Sequence, residues 1–456
     1  MKIAKKLSAS DLKAEVERLF QLASKKTLAL NKRWSRSDGA PVFTVAGKYT
    51  ARAWTQWTQG FQYGNALLCF DVTENKKLLE VGRRHTLESM AEHLTHTGVH
   101  DHGFNNLSTY GHLRRLMLEN KIERQEWELR FYELALKVSG AVQAARWTSL
   151  PGGDGYIYSF NGPHSLFIDT IRTVRVCGLA HFLGHALIGE QDRKVNLLER
   201  LLTHARTTAR YNIYYGEGRD SYDTKELRGR TVHEAIFNTI SGVFRCPSSQ
   251  QGYSPFSTWT RGLAWAMLGF AEELEFIRAL PEKQFGAEGV MKKPAALAML
   301  ETAATATCDF YINNASASDG ICYWDTGAPK LHKLGDWQSA PADPYNDYEP
   351  VDASASAIAA QGLIRLGVSL GAKGKTYLRA GLCIARRLLA EPYLSIDPKH
   401  EGILLHSIYH RPNGWDYIPK GAKIPVGESS MWGDYHLLEL GLLVRRMADR
   451  DYYTFF

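Results

Sequence analysis

The 456-residue chain is 44% hydrophobic, 11% aromatic and 23% charged, which is enough apolar material for a large core and excludes a small disulfide-stapled scaffold. Its formal net charge of +7 is spread along the chain, with no basic arm and no nucleic-acid-binding module, so no nucleic-acid partner is expected. The six cysteines form no CxxC pair and read as scattered reduced thiols. No window approaches the length of a membrane-spanning apolar run, so no membrane partner is expected and a cytoplasmic location is the default.

The first segment lacks the apolar core of a signal peptide and reads instead as an amphipathic helix over residues 10–32, introduced by a Ser/Asp cap. Apolar residues at i, i+3, i+4 and i+7 predict further helices over Leu78–Leu94, Arg124–Ala144, Leu166–Leu183, Val195–Arg210 and Gly262–Arg278. The same spacing predicts helices over Ala295–Asn313, Ala353–Leu370, Lys375–Ala390 and Trp432–Met447. Strand-like alternation is scarce, with Ile403–Tyr409 and Ile213–Tyr215 the best candidates. The chain therefore reads as all-α and, having no Ser/Gly linker, as one domain over 1–456. The Gly-rich stretches near 145–165 and 211–232 read as loops over one face.

Short polar and aromatic clusters open several helices, including WTQGF at 57–61, HDHGF at 100–104 and WTRG at 259–262. Helical pairs closing into a ring would gather these clusters, with their helix N-termini, at one end, where an anionic group is favoured. The run His93 to Phe104 holds four histidines and Asp101. Its spacing matches neither HExxH nor the Cys/His zinc patterns, so no metal is expected. Asp169, flanked by apolar residues, reads either as a buried aspartate tying down a helix end or as a general acid/base tuned by a second carboxylate. Arg261 and Trp265 share a helix face, suited to pairing a carboxylate and stacking a sugar; the alternative is a helix-capping arginine and a core tryptophan.

QGYSPFSTWTRGLAWAMLGF at 251–270, DASASAIAAQGLIRL at 352–366 and ESSMWGDYHLLELGLL at 428–443 resemble motifs of glycoside hydrolase family 88, the unsaturated glucuronyl hydrolases. WTQGF, HDHGF, YWDT at 323–326 and LLHSIYH at 404–410 match in the same order. The resemblance implies an (α/α)6 toroid of six helical hairpins. The activity it implies releases a 4,5-unsaturated uronic acid from the non-reducing end of lyase-generated oligosaccharides. The C4=C5 enol-ether bond is hydrated, without metal or cofactor, so the carboxylate-spacing rule for ordinary glycosidases does not apply.

Carried over by motif, Asp169 matches the aspartate that donates the proton and activates water, and Asp101 matches its partner. His233, Gln251, Arg261 and Trp265 match substrate-contacting residues, and Trp57 an aromatic wall; Arg261 is expected to receive the uronate carboxylate. Departures from the pattern are Gln62 in place of a tryptophan, Pro255-Phe256 in place of two aspartates, Ala353 within the usual DSS, and an extra stretch that includes Tyr211–Tyr222. The alternatives are an unsaturated rhamnogalacturonyl hydrolase, a related toroid enzyme on a modified sugar, a sugar epimerase using paired histidines, and a non-catalytic oligosaccharide binder.

Overall fold

The computed structural model describes residues 1–52, 56–287 and 289–456. Twelve main helical segments alternate between an outer and an inner ring. The outer helices are Lys13–Arg33, Lys76–Ser89, Glu126–Ala145, Leu197–Asn212, Lys293–Phe310 and Lys375–Leu388. They are one-sided, with an apolar stripe facing in, and for that reason their periodicity is plain in the sequence, although Glu126–Ala145 also exposes Trp127 and Leu134.

The inner segments are Gln59–Thr73, the bent run His102–Leu118, the run Thr170–Phe182, Thr260–Ala279, Ala353–Ser369 and Met431–Ala448. Each packs on the next, and Met431–Ala448 packs back on Gln59–Thr73, which closes an (α/α)6 toroid. Gln59–Thr73 is buried from Gln59 to Asp71, so it shows no polar face and escapes a search for amphipathic spacing.

Several sequence expectations shift. The stretch 78–94 is two helices, Lys76–Ser89 and Ala91–Leu94. The stretch 166–183 starts as a strand, Ser165–Phe167, paired antiparallel with Glu234–Phe237, which pairs in turn with Phe244–Ser248. Helix begins only after Asp169, because strand pairing overrides local helical spacing upstream.

Residues 403–409 are not a strand. The backbone N–H groups of Ile403 and Leu404 donate to Asp434, that of Tyr409 donates to Asp416, and the carbonyls of Ile408 and Tyr409 accept from Arg261. Buried side chains thus satisfy a backbone that a neighbouring strand would otherwise have to pair. Residues 213–215 contribute a single bridge, Ile213 to Thr231, and 145–165 carries a two-stranded hairpin, Trp147–Ser149 with Gly155–Ile157.

The toroid axis is filled by ions from the inner ring. Arg172 reaches Glu272 and Glu439 at 2.8 Å each, Arg175 reaches Glu272 at 2.9 Å, and Arg365 reaches Glu275 at 2.9 Å. Among the described residues no helix is long and apolar enough to cross a membrane.

Gly103 is among the glycines required by close approach. A Cβ on Gly103 would lie 2.0 Å from the carbonyl oxygen of Thr173, where two inner segments touch. Gly103→Ala is therefore expected to destabilise the chain by about 1–3 kcal/mol, read as a lower denaturant midpoint, and to cut activity by displacing the neighbouring Asp101. A variant with wild-type midpoint and turnover would show that the two segments separate freely.

Candidate active site

The inner helices begin at one end of the ring, and there the chain encloses a cavity of about 340 Å³. Asp101 is the residue before the helical turn His102–Asn105, and Asp169 the residue before Thr170–Thr173, so both carboxylates stand where helices start. Both line the cavity and are nearly buried, at 7% exposure each. Between them sits His100, whose Nε2 donates to Asp169 Oδ1 at 3.0 Å and lies 4.0 Å from Asp101 Oδ1.

Burial raises the Asp101 carboxyl above its usual range; the His100 ring opposes this, and the Asp169 charge adds to it. Burial works against charge on His100, yet Asp101 and the hydrogen bond to Asp169 together hold its imidazole above the ordinary value.

The other histidines of the 93–102 cluster do separate work. His93 Nε2 donates to Gln59 Oε1 at 2.8 Å, and Asn105 donates to His93 Nδ1 at 3.1 Å. His102 Nε2 donates to the carbonyl of His96 at 3.0 Å. Burial pushes both rings down to about 4, so they stay neutral. Among the described residues no group of three or more His, Cys, Asp or Glu is placed to hold a metal ion.

Aromatic rings wall the cavity. Trp57 stacks on Trp432 with centroids 5.0 Å apart, and Trp265 meets Phe104 at 4.7 Å and His436 at 4.9 Å. Flat apolar faces beside carboxylates suit a pyranose ring, which offers C–H groups on its faces and hydroxyls at its rim.

Arg261 lies at this wall with four of its five N–H donors occupied. Nη1 donates to Asp352 at 2.8 Å and to the Ile408 carbonyl at 2.5 Å; Nη2 donates to Gln251 Oε1 and to the Tyr409 carbonyl, each at 2.8 Å. Its guanidinium is also sandwiched by Trp259 and Trp432, at 4.7 and 5.0 Å. Asp352 in turn caps the Ala353–Ser369 helix through Ser354 and Ala355. The arginine expected to clasp a substrate carboxylate is thus held by its own chain, where it sets the position of Gln251. With its Oε1 engaged, the Gln251 amide NH2 is the end left for a ligand.

His233, expected to contact substrate, stands behind the wall. Its Nδ1 accepts from the backbone N–H of Gln250 at 3.0 Å, and its ring packs on Phe167 and Trp259. Burial, only partly offset by Asp169 and Glu234, pushes it down to about 4, so the neutral ring carries its proton on Nε2.

Sequence reasoning did not single out His100, Phe160, or the Tyr409, His410, Asn413 and Trp415 group that also lines the cavity. His100 was legible only as one histidine among four. The last group follows the 404–410 motif and includes an Asn-Gly turn signal beside a tryptophan at 413–415, a pattern that could have marked a site loop. Asp416 fixes this loop by accepting from the N–H groups of Tyr409 and His410.

A buried carboxylate pair at the open end of an (α/α)6 toroid, walled by tryptophans, fits an enzyme of the glycoside hydrolase class. No protein-family model matches the chain. It is 25% identical over 419 residues to the unsaturated glucuronyl hydrolase of Bacillus sp. strain GL1, a match covering 90% of each protein. It is 29% identical over 208 residues to the unsaturated glucuronyl hydrolase of Formosa agariphila, which is 45% of this chain and 41% of that relative. The solved unsaturated glucuronyl hydrolase of Bacillus sp. GL1 superposes with a TM-score of 0.69 at 21% identity, over 94% of this chain and 96% of that one. Over nearly its whole length the chain is thus similar to proteins named unsaturated glucuronyl hydrolase, in sequence and in fold.

Proposed function

We propose that the protein removes a 4,5-unsaturated uronic acid from the non-reducing end of lyase-generated oligosaccharides by hydrating the C4=C5 bond. The observation that carries this reading is the pair Asp101 and Asp169 at the cavity, joined through His100. The relatives' names and a related structure solved with dGlcA-Glc-Rha-Glc support it.

In the proposed reaction Asp169 gives a proton to C4 of the enol ether, and positive charge develops at C5 and the ring oxygen. The carboxylate so formed takes a proton from a water, which bonds to C5. The resulting hemiketal opens to a ketone at C5, and the anomeric centre, now an open hemiacetal, releases the rest of the oligosaccharide. Asp101 stabilises the developing charge and accepts a sugar hydroxyl, the Gln251 NH2 holds a polar group of the sugar, and Trp57 and Trp265 receive its faces. Six unpaired cysteines fit a reducing compartment, which supports a cytoplasmic site of action.

The test is a panel of unsaturated disaccharides from chondroitin, hyaluronan, heparin, gellan, ulvan and rhamnogalacturonan, followed by the ultraviolet absorbance of the conjugated C4=C5 bond. Loss of absorbance with release of the second sugar is expected on at least one of them. Persistence of the absorbance with an inverted hydroxyl would identify an epimerase, and binding without any product a carbohydrate-binding protein. Turnover confined to unsaturated galacturonyl-rhamnose would identify the rhamnogalacturonyl activity.

A further inference from the structure

We propose that His100 is a positioning residue for this reaction: its Nε2–H holds Oδ1 of Asp169 as an acceptor, so that the transferable proton must sit on Oδ2. A neutral carboxyl group has one acceptor oxygen and one proton-bearing oxygen. The donor at 3.0 Å decides which is which, and the nearby Asp101, 4.0 Å from the same nitrogen, keeps that N–H in a strongly negative setting. The inference rests on the reading of Asp169 as the acid and adds how its two oxygens are told apart.

The ring is built to hold this aim. His100 is 2% exposed, and its imidazole lies between Phe160, at 6.0 Å, and Phe167, edge-on at 5.6 Å. Its backbone carbonyl accepts from Gln143 Nε2 at 2.9 Å and from Thr173 Oγ1 at 2.7 Å, which ties the residue to an outer helix and to the inner run that follows Asp169. Its Nδ1 is buried and has no hydrogen-bond partner among the described residues, so the ring's one hydrogen bond is the one to Asp169.

The charged and titratable groups around it are few. Asp101 comes from its own segment, Asp169 from the next inner run, Arg146 from the end of the Glu126–Ala145 helix, His204 from Leu197–Asn212 and His233 from the adjoining strand region. His204 and His233 are held neutral by burial, at about 3 and about 4. Arg146 is committed to the carbonyls of Thr97, Tyr158 and Ser159. No other cation among these can take over the hydrogen bond to Asp169.

The experiment compares wild type, His100→Leu and His100→Gln on an unsaturated disaccharide that wild type turns over. Leucine fills the space between Phe160 and Phe167 without a donor, whereas glutamine places an N–H near the Nε2 position without a positive charge. His100→Leu should lose about 100-fold in kcat with KM within about threefold, as expected when a reacting group is misaligned. His100→Gln should recover to within about tenfold of wild type. Its acidic limb should move to higher pH, because Asp101 acts as a carboxylate and the ring that opposes its raised value is gone. Equal losses in both variants with an unshifted pH profile, or near-wild-type kcat in His100→Leu, would overturn the inference and leave the functional reading standing. Absence of turnover by wild type on every panel member would overturn both.

Discussion

Asp169→Asn is expected to lose at least about 100-fold in kcat while the fold and substrate affinity stay close to wild type. General acid–base transfer is worth about 10²–10⁴-fold, and asparagine neither donates a carboxyl proton nor accepts one from water. The substitution is nearly isosteric: the amide oxygen can still accept from His100 Nε2, which holds Oδ1 at 3.0 Å in the wild type. The residue stands before a helical turn and makes no side-chain cap, so no helix loses a hydrogen bond. The check is kcat and KM on an unsaturated disaccharide, with calorimetric binding and thermal melts alongside. A variant keeping more than a tenth of the wild-type rate would remove Asp169 from the mechanism. A large fall in melting temperature would instead identify it as a structural aspartate.

Arg261→Ala is expected to damage both activity and stability. Asp352 is fully buried and pairs with Arg261 at 2.8 Å, so removing the cation leaves an uncompensated charge in the core. Breaking a buried pair in this way costs about 3–5 kcal/mol. The carbonyls of Ile408 and Tyr409 lose their donor as well, and Gln251 loses the partner that orients it. The variant should therefore melt well below wild type, and kcat/KM should fall to a similar degree on a uronate substrate and on its carboxyl ester. Arg261→Lys should rescue little, because one ammonium cannot reach four acceptors arranged around a planar fork. The opposite pattern, an unchanged melt with loss confined to the free acid, would return Arg261 to direct recognition of the substrate carboxylate.

The sequence by itself determined the outer ring and the inner helices Thr260–Ala279, Ala353–Ser369 and Met431–Ala448. Helices such as Lys375–Leu388 and Leu197–Asn212 carry an apolar stripe and a charged face, and that asymmetry is a local property of the chain. It also carried the motifs of the resemblance, which pointed to Asp101, and it marked Asp169, because a carboxylate among apolar residues is costly unless it has a task or a partner.

Only the tertiary structure decided the rest. The inner helix Gln59–Thr73 is buried on every side, so its residues alternate with nothing and its existence follows from the ring that surrounds it. The backbone of 403–409 looks extended in sequence, yet Asp434, Asp416 and Arg261 satisfy it from distant segments. Arg261 illustrates the limit most clearly. Its place beside Trp265 on one helix face was readable, but whether its donors were free for a substrate depended on Asp352, 91 residues away along the chain. In the same way His100 was one histidine of four until folding brought Asp169, 69 residues away, within 3.0 Å of its Nε2. Spacing within a helix fixes which residues share a face, whereas the occupancy of a hydrogen-bonding group is set by whatever the closed ring brings opposite it.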